Sequence, residues 1–104
     1  MARFRLSRQV EGDVLRIGEY TLATWGAQQA SDYLSSLEAC LQLLADQPTL
    51  GRVCRDIRPG LRRMEHAQHC VFYRPVEPGI LVVRILHVRM LPSRHEIDSA
   101  DDVG

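Results

Sequence analysis

Three strand-length runs follow one another between residues 61 and 88, and they leave the chain few ways to fold. They are Leu61–His66, His69–Val76 and Ile80–Val88. The second and third are rich in Val, Ile, Phe and Tyr, as strands are. Ala67-Gln68 suits a tight hairpin. Pro78-Gly79 predicts a type II turn, with Pro second and Gly third. Strands joined this tightly are antiparallel neighbours. In the last run Ile80, Val82 and Leu86 fall on one face, and Leu81, Val83 and Ile85 on the other. Cys70 and Phe72 against Val71 and Tyr73 repeat that pattern. Two apolar faces need two covers.

The first half of the chain supplies one cover. Arg3-Phe4-Arg5-Leu6 alternates as a short strand, and Ser7 offers a helix N-cap. A helix then runs to about Trp25. Val10, Val14, Ile17 and Leu22 form its apolar side, with Glu11, Asp13 and Arg16 turned outward. Gly26 breaks it. A second helix follows from about Ala27 to Asp46, with Ala30, Tyr33, Leu34, Leu37, Leu41 and Leu44 as a full apolar stripe. Pro48 ends it. The link between the helices is short, so they form an antiparallel hairpin. Residues 47–60 read as a loop rich in Pro, Gly and Arg. The order β-α-α-β-β-β gives an α+β domain, its helical hairpin packed on one face of a small, mainly antiparallel twisted sheet. The second face is covered either by another chain or by the curled ends of the sheet.

A chain of 104 residues is one domain. Residues 1–95 are its body, and 96–104 form an acidic, frayed tail. The net charge is zero but unevenly spread. Residues 52–95 carry nine Arg against three acids, a balance of +6, whereas residues 96–104 carry four acids and no base. Every basic residue is Arg, whose planar fork suits carboxylate and phosphate. No apolar run spans a membrane. Met1-Ala2-Arg3-Phe4-Arg5 has no apolar core behind it, so it is no secretory signal and a cytoplasmic protein is expected.

Catalytic signatures are absent from the sequence. It has no phosphate-cradling glycine loop, no Gly-x-Ser-x-Gly and no His-Glu-x-x-His. Cys40, Cys54 and Cys70 are odd in number and widely spaced, against both a disulfide framework and zinc. Cys40 and Cys70 are expected as buried free thiols, and Arg52 and Arg55 would activate Cys54 if it were exposed. His66 and His69 flank a hairpin turn, a weak pattern for a metal. No metal or cofactor is expected. What remains is a basic set: Arg62, Arg63, His69, Arg84, His87, Arg89, Arg94 and His95. It could cleave RNA, with His or Tyr moving protons and Arg holding phosphorane charge, or dock on acidic protein or nucleic acid without chemistry. Arg84 interrupts an apolar strand, so it needs a partner, either an intramolecular acid such as Glu65 or a carboxylate from another chain.

In their order and spacing, these residues resemble the ParE branch of the RelE/ParE toxin superfamily. The resemblance covers nearly the whole chain. It rests on Leu6-Ser7, Tyr20, Trp25-Gly26, Gln29-Ala30-x-x-Tyr33 and Pro48-x-x-Gly51-Arg52. It continues through Ile57-Arg58-Pro59-Gly60-Leu61-Arg62-Arg63, His69-x-Val71-Phe72-Tyr73-Arg74 and Arg84-Ile85-Leu86-His87-x-x-Met90 to Arg94-His95. Leu91-Pro92 stands where many relatives carry an acid, and Ala67-Gln68 replaces a glycine often seen before the histidine.

The resemblance implies a toxin of a type II toxin–antitoxin pair that inhibits DNA gyrase by binding rather than by catalysis. A ParD-like antitoxin would neutralise it, with two toxins on an antitoxin dimer or a higher assembly, and only the antitoxin would contact operator DNA. Arg62, Arg63, Tyr73 and Arg84 are the expected antitoxin contacts, with Tyr20, Leu22 and Trp25 as a second patch. His87, Arg89, Met90, Arg94 and His95 are the expected target contacts. Two alternatives remain. One is a ribosome-dependent mRNA endonuclease of the RelE branch using Arg63, Arg84 and His87. The other is a non-toxic antitoxin-binding corepressor.

Overall fold

The computed structural model describes residues 2–54 and 57–90. A first strand, β1 (Arg3–Leu6), leads into helices α1 (Arg8–Trp25) and α2 (Ala27–Asp46). Strands β2 (Arg52–Val53), β3 (Arg62–His66), β4 (His69–Val76) and β5 (Gly79–His87) follow, and a 3-10 turn covers Val88–Met90. One five-stranded sheet has the order β1-β5-β4-β3-β2. β1 lies parallel to β5, and every other pairing is antiparallel. This is the expected α+β architecture with one addition. The loop expected over residues 47–60 contains the two-residue strand β2, which pairs with β3 through Arg52–Arg63 and Val53–Arg62.

Ser7 caps α1 as expected, and it also binds the sheet. Its Oγ accepts the Val10 N–H at 3.2 Å and donates to the Val83 carbonyl at 3.0 Å. Its backbone N–H donates to the Val82 carbonyl at 3.1 Å. The start of α1 therefore continues the pairing that β1 begins along β5. Gly26, the single residue between the helices, has φ +91°. That left-handed backbone carries no steric penalty only for glycine.

The helices cover one face of the sheet through Val10, Ile17, Leu37, Leu41 and Leu44, which pack on Val71, Tyr73, Ile80, Val82 and Ile85. Several sequence expectations are corrected here. Leu22, assigned to the apolar side of α1, is 53% exposed, while Asp13, assigned outward, is buried. Ile85 packs with Ile80 and Val82, and Leu86 packs with Val83, the reverse of the expected phase. A bulge causes the reversal. Tyr73 pairs with Val82 but Phe72 pairs with Arg84, so Val83 is an extra residue that shifts every later side chain by one position. The last turn also differs. Val76 pairs with Gly79, leaving Glu77 and Pro78 as the turn residues with a cis bond between them, so Pro stands third.

The second apolar face has its cover within the same chain. Cys54, Leu61, Cys70, Phe72 and Val83 form a second buried cluster, with Ile57 and Leu86 packed against it. Cys54, Ile57 and Leu61, which lie between the pairing residues of β2 and β3, supply that cover. Cys54 is thus buried, as is Cys70, whose thiol burial pushes to a higher pKa; Cys40 is half-buried. None of the helices among the described residues is long and apolar enough to cross a membrane.

Candidate functional site

Arg84 stands at the bulge of β5, and its charge is answered from α1. Its Nε donates to Asp13 Oδ2 at 2.8 Å and its Nη2 to Asp13 Oδ1 at 3.0 Å. The partner is thus an intramolecular acid, but not Glu65, the acid named from sequence, which bonds Arg52 at 2.9 Å and Arg63 at 3.3 Å. Asp13 is 2% exposed, and its Oδ2 also accepts the Ile85 N–H at 3.1 Å. Arg16 Nη2 approaches Oδ1 at 2.9 Å. One buried carboxylate thus fills the place of a missing strand partner on β5 and holds two guanidinium groups. The sequence carries a signal for it: Asp13 lies three residues after Val10 and four before Ile17, on the buried stripe.

Around this pair lies a groove of about 450 Å³ between α1 and the end of β5. Arg16, Ile17 and Tyr20 form its helical wall. Ile85, Leu86 and His87 form the strand wall, with His69 and Arg89 at the end. Its walls are mostly apolar carbon, and the lining has three Arg against one acid. Tyr20 is 65% exposed, so the helical wall is open to a partner.

The histidines link this groove to α2. Tyr33 Oη and His69 Nδ1 are hydrogen-bonded, and the His69 ring meets that of His87 edge-on at 5.4 Å. Ser36 Oγ lies 3.0 Å from His66 Nε2. Burial lowers the His69 pKa, and the neighbouring His87 and His66 lower it further. His87 Nδ1 accepts the Arg89 N–H at 3.1 Å, which leaves Nε2 to carry the proton toward Gln68 Oε1 at 3.2 Å. Among the described residues, no group of His, Cys, Asp or Glu is placed to hold a metal ion.

The residues marked from sequence therefore divide. Arg84, Tyr20, His87 and Arg89 meet at the groove. Leu22 and Trp25 lie exposed toward the end of α1. Arg62, Arg63 and Tyr73 do not line the groove. Tyr73 is wholly buried, which removes it from any docking surface. Its Oη donates to the Pro48 carbonyl and accepts the Gly51 N–H, both at 2.8 Å. Arg62 Nη1 donates to the Gly51 carbonyl at 2.7 Å, so it too serves the 48–51 turn. Arg63 lies over the Phe72 ring, 5.9 Å from its centroid. Of the suggested nuclease set, Arg63 on β3 and Arg84 on β5 flank Phe72 across β4, and His87 pairs with His69 further along β5. Met90 closes the 3-10 turn, and Arg94 and His95 lie outside the described residues. Sequence reasoning missed Asp13, Arg16 and Ile85.

Comparison with known proteins agrees with this architecture. Residues 4–92 match the family model described as ParE toxin of type II toxin–antitoxin system, parDE. The chain is 36% identical over 95 residues to Toxin ParE1 of Caulobacter vibrioides, covering 91% of this chain and 98% of that one. It is 38% identical over 90 residues to Toxin ParE1 of Mycobacterium tuberculosis, covering 86% and 92%. A solved structure titled as the chromosomal ParDE TA system from P. aeruginosa superposes with a TM-score of 0.69. It covers 84% of this chain and 96% of its own at 18% identity, a likeness of fold.

Proposed function

Since the chain belongs to the ParE toxin family of type II toxin–antitoxin systems, we propose that it inhibits DNA gyrase by binding and that a ParD-like antitoxin neutralises it by occupying the α1–β5 groove. The observation that carries this reading is the lining of the groove. Arg16, Arg84 and Arg89 surround an apolar floor of Ile17, Ile85 and Leu86, with Asp13 as the one acid. Such a surface suits a segment with an apolar side and an acidic side. His87 and Arg89, read from sequence as target contacts, line the same groove. An antitoxin seated there blocks the target surface directly, while operator DNA is met only by the antitoxin. The assembly is read as two toxins on an antitoxin dimer or a higher multiple, in the cytoplasm where gyrase acts.

Binding is favoured over nuclease chemistry by the state of His87. Both of its ring nitrogens are engaged, one by Arg89 N–H and the other by Gln68. With Nδ1 taken up by a backbone donor, His87 would act as a base only after giving up that bond. The test is antitoxin-free protein incubated with gyrase, ATP and supercoiled plasmid. Trapped double-strand breaks that vanish on adding antitoxin support the reading. Normal supercoiling with folded protein sends the search to the ribosome, where His87→Ala should then abolish cleavage.

A further inference from the structure

Residues 96–104 carry Glu96, Asp98, Asp101 and Asp102 and no base, and they lie beyond residues 4–92 that the family model matches. We propose that this acidic segment is a cis occupant of the α1–β5 groove, competing there with any external acidic segment. Three observations converge on it. The first is charge. The groove lining holds Arg16, Arg84 and Arg89 against Asp13, a balance of +2, and the segment carries four negative charges. Opposite charges across such a gap attract, and salt weakens the attraction.

The second is position. Arg89 lines the groove and immediately precedes Met90, so the chain leaves the described structure at the groove's end. Glu96 follows six residues later, and six residues reach at most about 20 Å. The helical wall runs from Asp13 to Tyr20, about 10 Å of helix, so the first acid is within reach of the groove. The third is tethering. A short linker holds its segment at an effective concentration on the order of 1 mM. A contact with a dissociation constant of about 1 mM, too weak to matter between separate molecules, is then enough to keep the groove about half occupied in cis. Ile97 gives the segment an apolar residue for the floor of Ile17 and Ile85.

Docking stands independently of the toxin reading; only its consequence, a handicap on antitoxin binding, rests on it. The test compares amide spectra of the full chain, of a chain ending at His95, and of the full chain with E96Q, D98N, D101N and D102N together. That last variant makes the comparison without shortening the protein. Both changes should shift the amides of Arg16, Tyr20, Ile85 and His87. A synthetic peptide of residues 96–104 added to the shortened chain should restore them, while the peptide with amides in place of its acids should not. The labelled peptide should bind the shortened chain at least about twofold more tightly than the full chain at low salt. Shifts confined to residues 88–95, shifts centred on Arg3 and Arg5, or equal peptide affinities would overturn the proposal. None of these readouts involves gyrase or an antitoxin, so either reading can fail alone.

Discussion

Asp13 and Arg84, 71 positions apart, form a two-pronged ion pair in which the same carboxylate also receives the Ile85 N–H. The pair fixes α1 against β5 where β1 has ended. Removing the carboxylate strands a largely buried guanidinium and an unpaired backbone donor. Breaking a buried pair from one side typically costs about 3–5 kcal/mol. Asp13→Ala should therefore lower stability by about that amount in urea unfolding. Asp13→Asn, which keeps the shape and an acceptor, should cost less. Equal losses would mean that charge contributes nothing there.

Tyr73 ties the 48–51 turn to the sheet through two hydrogen bonds from a fully buried ring. Tyr73→Phe leaves the Gly51 N–H and the Pro48 carbonyl without that partner, for a loss of about 1–3 kcal/mol. Gly51 is required by crowding rather than by backbone angle. A Cβ there would lie 2.5 Å from Tyr73 Oη and 2.7 Å from the Arg63 carbonyl. Gly51→Ala should destabilise the wild-type chain. Adding Tyr73→Phe should relieve only part of the loss, since the Arg63 carbonyl remains. A thermal double-mutant cycle measures both.

Element order and the helical hairpin were legible because apolar spacing and single breakers such as Gly26 are local signals. The phase of β5 was not. Strict alternation places Leu86 with Ile80, but one bulge residue, Val83, reverses the assignment, and a bulge leaves no mark in hydropathy. The need of Arg84 for a carboxylate was legible from its place in an apolar run. Its partner was not, because an aspartate on a helix stripe reads as outward unless the strand edge beside it is known. Tyr73 and Arg62 read as surface ligands because their turn partners are backbone atoms, which sequence does not display. Cys54 and Ile57 lie in a segment read as loop, with Leu61 at its border, so the cover they give the second face was likewise invisible.

The His69 pKa is lowered by burial, then by His87 and His66. The folded chain thus takes up this proton at lower pH than the unfolded chain, whose value lies near 6.5. Above 6.5 neither state holds it and the neutral imidazole contributes its full stability. As pH falls below 6.5 the unfolded state gains the proton first, so stability falls toward the folded-state pKa. Urea midpoints should drop between pH 7 and pH 5. His69→Gln should flatten that slope, and an unchanged slope would assign the drop to other groups.

Arg16, Tyr20 and Arg89 are exposed lining residues of the groove, whereas Arg62 and Tyr73 serve the fold. Charge reversal at Arg16 and Arg89 together should leave the helical signal nearly unchanged and lower the unfolding midpoint modestly, because Arg16 gives up its pairing with Asp13. It should weaken binding of a ParD-like antitoxin at least tenfold, because like charges then face each other across the contact. The salt dependence of association should become shallower at the same time. Tyr20→Ala removes a large aromatic anchor and should cost affinity without changing that salt dependence. The three are measured by calorimetry at two ionic strengths. Wild-type affinity in the double reversal would move the antitoxin contact away from the groove, toward Leu22 and Trp25 near the end of α1.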